Sequence, residues 1–216
     1  MPIRAGLNDR VKSTMRILKL SSLCKRCLQQ NSRTLWRPAA HDPSLHRSFS
    51  TMKAEGFEKL EYETQVLSFG DGSNGALGHD AEGYLRDAFE PVPVQGLPKN
   101  IMKVAAGHYH SLAVTNDGEV WAWGRNSEGQ LARRHGNSRE DWRHPRRVDG
   151  LENIRVKDVG GSGVVSMVIA EDGSLWSWGS SKRGQLGLSP DSIQCLLPQR
   201  VESLSGYQVS QVLRLH

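Results

Sequence analysis

Beyond residue 63 the chain sets short apolar runs between glycine-bearing turns, and the runs keep a two-residue rhythm. Val120-Trp121-Ala122-Trp123-Gly124 and Leu175-Trp176-Ser177-Trp178-Gly179 are the clearest cases, and Val66-Leu67-Ser68-Phe69-Gly70 has the same outline. Large residues at alternate positions predict β-strands, with Trp121 and Trp123 on one face and Trp176 and Trp178 repeating the arrangement. Two further runs, Ser111-Leu112-Ala113-Val114-Thr115 and Ser166-Met167-Val168-Ile169-Ala170, each lead through Asp-Gly into a tryptophan strand. Asp117-Gly118 and Asp172-Gly173 therefore predict hairpins closed by tight primed turns, since glycine accepts a positive φ. One hairpin cannot bury a face bearing two indoles. A neighbouring copy of the unit has to cover it.

Copies of the unit are present. Gly70, Gly124 and Gly179 stand 54 and 55 residues apart, each followed five residues later by a second glycine (Gly75, Gly129, Gly184). Two positions further come Leu77, Leu131 and Leu186, and Pro91 to Leu97, Pro145 to Leu151 and Pro198 to Leu204 add another aligned register. Four short strands and a loop fill such a period. The glycines serve sharp exits and close backbone approach, and the four tryptophans read as core.

The stretch Gly107-His108-Tyr109-His110-Ser111-Leu112-Ala113-Val114-Thr115-Asn116-Asp117-Gly118-Glu119-Val120-Trp121-Ala122-Trp123-Gly124, followed by Gly129-Gln130-Leu131, resembles the repeat of the regulator of chromosome condensation family. The resemblance covers residues 64–212 through three units and implies an all-β fold, part of a seven-bladed β-propeller. The family includes a chromatin-bound exchange factor for a small GTPase, a plant ultraviolet-B photoreceptor, ubiquitin ligases and mitochondrial members. Seven blades at this period need about 380 residues, so 64–216 is expected to form about three of the seven. Val212 aligns with Val104 and Val159, but Leu213-Arg214-Leu215-His216 departs from Ala105-Ala106-Gly107 and Gly160-Gly161-Ser162. This reads as a truncated form whose last four residues follow a different reading path, leaving an open arc.

Charge divides the chain. Residues 1–53 carry eleven basic side chains against Asp9 and Asp42, whereas the whole chain nets only +5. The body is therefore mildly acidic, which disfavours a protein that coats DNA over its whole surface. A basic, Ser-rich, acid-poor start is the composition of a transit peptide, and Val11, Met15 and Leu18 fall on one face of an amphipathic helix. Arg47, Phe49 and Ser50 resemble a mitochondrial processing site cut between Phe49 and Ser50. The expected organisation is a disordered or helical transit peptide over 1–49, a linker over 50–63 and the partial propeller over 64–216. Chloroplast or dual targeting is the rival, and translation from Met52 would leave the product nuclear or cytosolic. No apolar run reaches the length of a membrane span, and Cys24, Cys27 and Cys195 are too few for a disulfide framework.

Chemistry is sparse. Cys24 and Cys27 have the spacing of half a zinc site without a partner pair. His108 and His110 alternate like two metal ligands, yet no third ligand stands near, so a histidine hydrogen-bonded at the strand start is the better reading. No catalytic motif is visible, and Gly70 to Gly75 follows a strand as a turn. The expectation is no enzyme, no cofactor and no bound metal. Arg133, Arg134, Arg139, Arg143, Arg146 and Arg147 crowd one connection with Trp142, which suits RNA or an acidic protein, or else a solvated loop. Trp142-Arg143-His144 resembles a photoreceptor motif but lies outside the blade-entry segment where that motif belongs, so light sensing is not expected. Taken with the family, the residues point to a noncatalytic mitochondrial adaptor in organellar RNA processing, including splicing, or in ribosome or respiratory-complex biogenesis. A guanine-nucleotide exchange factor and a scaffold in ubiquitin ligation or trafficking are the alternatives.

Overall fold

The computed structural model describes residues 16–21, 64–79, 87–135 and 138–212. The processing site at Arg47, Phe49 and Ser50, the Cys24/Cys27 pair and the 50–63 linker lie outside the described residues. Three sheets follow one another along the chain. The first contains β1 (Arg16–Ser21), β2 (Thr64–Gly70) and β3 (Ala88–Pro93). The second runs β4 (Ile101–Ala106), β5 (His110–Thr115), β6 (Val120–Gly124) and β7 (Arg146–Arg147). The third repeats it with β8 (Val156–Ser162), β9 (Val165–Ala170), β10 (Leu175–Ser180) and β11 (Gln194–Arg200). Each sheet is one blade, and strand order follows chain order. This is an all-β partial propeller.

Two expectations change. Arg16–Ser21 is a strand beside β2, where the spacing of the leader had pointed to a helix. A β2 edge offers unpaired N–H and C=O groups, and an extended segment satisfies them where a helix cannot. The Asp-Gly hairpins also close differently. Gly118 N–H donates to the Thr115 carbonyl at 3.0 Å, and Thr115 N–H to the Glu119 carbonyl at 3.0 Å. Gly118 has φ 81° while Asn116 and Asp117 keep negative φ. The loop is thus a type I turn closed by a glycine bulge, because a primed turn needs positive φ at its first central residue.

The core lies between blades. Val66, Ile101, Ala113 and Trp123 form a cluster that joins the first blade to the second. A larger one, with Leu112, Val120, Leu131, Val168, Trp178 and Leu186 among its members, joins the second to the third. Trp123 and Trp178 are fully buried, whereas Trp121 and Trp176 are half-buried against the same clusters. The same strand face packs in both blades, and its inner indole takes the deeper site.

Candidate interaction surface

The joint between the second and third blades places much of the chain's polar chemistry in structural service. Trp178 Nε1 and Ser166 Oγ each donate to the Gln130 carbonyl at 2.8 Å, and Ser166 Oγ lies 2.8 Å from His110 Nε2. All four residues are fully buried. Because the Ser166 hydroxyl donates to a carbonyl, it accepts from His110, so the pair is a latch and has no nucleophile's geometry. Ser68, in β2, makes a serine–histidine contact within its own blade, donating to the Leu77 carbonyl and lying 2.8 Å from His79 Nε2. Burial lowers the pKa of His79 from its ordinary value, against a hydrogen bond to the Val92 backbone that raises it. His110 thus bonds at the strand start as expected. His108 is exposed and sits edge-on to Tyr109, so the turn between β4 and β5 separates the two histidines. Among the described residues, no three metal-binding side chains come together.

The glycines hold these joints close. Gly124 (φ 104°) and Gly179 (φ 109°) exit their strands against the carbonyls of Tyr109 and Val164. Gly75, Gly129 and Gly184 share positive φ at the following turn. A Cβ on Gly75 would meet Arg143 at 3.0 Å, and one on Gly129 would meet Leu196 at 2.7 Å. Each blade therefore lays an outer side chain over the turn of the blade before it.

The arginine-rich connection is no loose loop. Ser138 caps a short helix, α1 (Arg139–Arg143), by accepting the Asp141 N–H, and β7 then pairs with β6. Arg133 turns inward, 9% exposed, and donates to the carbonyls of Ala122, Asp141 and His144. Desolvation, with Arg146 adding to it, pushes its pKa down to about 10, so it stays charged at neutral pH. Both terminal nitrogens of its guanidinium are held inward by backbone carbonyls, which keeps the group from gripping a phosphate. Trp142 is half-buried against the core, which leaves its ring poorly placed to stack on a base. Arg146 pairs with Asp141 at 3.0 Å and Arg147 with Glu119 at 3.1 Å. Asp141 lies below the usual carboxylate range, chiefly through the Ser138 hydroxyl and then Arg146. Arg134 and Arg139 are exposed, and Arg143 is half-buried over the first blade's turn. The structure thus divides the six arginines into one anchor, two ion-paired strand residues, one packed residue and two with free reach.

Consecutive four-stranded sheets, joined by tryptophans inserted into the preceding blade, define a β-propeller repeat protein. Models of the regulator of chromosome condensation (RCC1) repeat match residues 63–114, 117–169 and 172–213, and a second such model matches 101–130. The chain belongs to that family. It is 40% identical over 149 residues to the ultraviolet-B receptor UVR8 of Arabidopsis thaliana, which covers 68% of the chain and 32% of the relative. It is 35% identical over 130 residues to the mitochondrial RCC1 domain-containing protein RUG3 of the same plant, covering 60% of the chain and 28% of the relative. The chain thus spans a third or less of these relatives. Among solved structures, yeast RCC1 (Prp20) bound to Kap60 aligns with a TM-score of 0.59 at 22% identity, over 83% of the chain and 44% of the yeast protein. At that identity the likeness concerns the fold alone.

Proposed function

We propose that the protein is a noncatalytic interaction propeller of mitochondria, acting in organellar RNA processing or in ribosome or respiratory-complex biogenesis. The observation that carries this reading is the leader: eleven basic residues against two acidic ones in residues 1–53, ahead of a mildly acidic body. Likeness to a relative named as mitochondrial supports it. Fusing residues 1–60 to a fluorescent reporter is expected to give mitochondrial signal. Nuclear or diffuse fluorescence would overturn the reading and favour a guanine-nucleotide exchange factor, which a nucleotide-release assay on small GTPases would then test.

RNA, if it is the cargo, meets the second blade at Arg134 and Arg139, with Arg146 and Arg147 released from exposed ion pairs that cost little to break. Reversing these four arginines to glutamate is expected to abolish binding of single-stranded RNA in a filter-binding titration and to flatten its salt dependence. Affinity that survives the reversal removes RNA from this surface.

A further inference from the structure

The outer edge of the third blade carries a surface that repeat architecture does not require. In the second blade, the turn after the tryptophan strand neutralises itself: Arg125 binds Glu128 at 2.8 Å and also bonds Ser127. The third blade folds the same turn, with the Gln185 side chain accepting the Arg183 N–H at 2.8 Å just as Gln130 accepts that of Glu128 at 3.0 Å. Its charges differ. Ser180 stands in the place of Arg125, and Lys182-Arg183 in the place of Ser127-Glu128. Both cations are exposed, and neither has an ion pair among the described residues.

Two large aliphatic side chains lie beside them. Ile193 is 61% exposed and Leu196 60% exposed. The Ile193 carbonyl accepts the Ser181 N–H at 2.7 Å, which ties this apolar pair to the cationic turn. Leu196 lies over Gly129 of the second blade, so its exposure does not come from the far side of the third blade. β11, which carries Leu196, is the end strand of its sheet and leaves one edge unpaired. Pro198 removes one N–H from that strand, so pairing is open along Gln194 to Leu197.

We propose that this edge docks a short extended segment of a partner protein in which aliphatic residues alternate with aspartate or glutamate. Backbone groups of β11 supply affinity along the strand, Ile193 and Leu196 take the aliphatic side chains, and Lys182 and Arg183 select the acidic ones. The proposal rests on the chain being an interaction propeller and is independent of its compartment and of RNA.

The test uses the full chain and a fluorescein-labelled ten-residue peptide alternating glutamate with leucine, followed by fluorescence anisotropy. Saturable, salt-sensitive binding is expected. Lys182→Glu with Arg183→Glu should weaken it roughly tenfold or more, and Ile193→Ser should do the same. A peptide with lysine replacing glutamate should not bind. Arg134→Glu on the second blade should leave peptide affinity unchanged, which separates this site from the RNA surface. Ile193 does not support the Gly129 turn, so a preserved thermal melt of Ile193→Ser keeps the result readable even where Leu196→Ser unfolds. Absence of saturable binding by the intact chain, or equal affinity in the variants, overturns the proposal. So does sedimentation showing that two copies pair through this edge and exclude the peptide.

Discussion

Gly179→Ala is expected to remove a large share of the protein's stability. At φ 109° the backbone occupies a region that L-residues rarely adopt, and an added Cβ would collide with the Val164 carbonyl at the β8–β9 turn. Neither partner can yield. The carbonyl belongs to a neighbouring hairpin and already accepts the Ser180 N–H. Strain at such a φ costs on the order of 1–3 kcal/mol and overpacking a similar amount. Together they come to about 2–6 kcal/mol, a large share of the roughly 5–15 kcal/mol that stabilises an ordinary domain. Gly184→Ala is the control, because its φ of 76° is also positive but nothing lies within 4 Å of the new methyl. That change should cost only about 1 kcal/mol. Urea unfolding followed by tryptophan fluorescence measures both, and an unchanged midpoint for Gly179→Ala would mean that the end of β10 does not press on the β8–β9 turn as described.

Trp178→Ala should cost about 3–5 kcal/mol, since the ring is fully buried and its removal opens a cavity between two blades. The informative comparison is with phenylalanine at both inner positions. Trp178 Nε1 donates to the Gln130 carbonyl, whereas Trp123 Nε1 is buried without a hydrogen-bond partner among the described residues and faces Gly78. Trp178→Phe therefore loses a hydrogen bond worth about 1 kcal/mol beyond the packing change, and Trp123→Phe relieves an unmet donor instead. Denaturation of both variants should rank Trp178→Phe as the more damaging. Equal losses would show that the Gln130 bond contributes nothing.

Much of this architecture is legible in the amino-acid sequence. Alternation in Val120–Gly124 and Leu175–Gly179, together with the three glycine registers, specifies strands, period and family, because a two-indole strand face has few ways to be buried. The turn type was not legible, since Asp-Gly suits both a primed turn and a type I turn with a glycine bulge. Arg133 shows another limit. Charge density suggested a phosphate ligand, while its repeat position, two beyond the leucine, is held by His79 in the first unit and Leu188 in the third. Leu188 packs against the core, so the position points inward and the arginine takes backbone carbonyls as partners. Aligning the units by burial instead of charge would have found this. The same alignment exposes Lys182 and Arg183, whose oddity is visible only against the self-paired Arg125 and Glu128.

The strand formed by Arg16–Ser21 has a bearing on maturation. It lies upstream of Phe49 and is hydrogen-bonded to β2, so under the proposed mitochondrial reading one stretch of chain would be both address and masonry. A protease that cut after Phe49 would detach the polypeptide carrying that strand from the polypeptide carrying β2. Precursor and processed product would then differ in the edge of their first sheet. An import signal is read unfolded, so under that reading the address would be legible only while the strand is undocked. Hydrogen exchange at Thr64–Gly70, compared between the full chain and one beginning at Ser50, would register that difference directly.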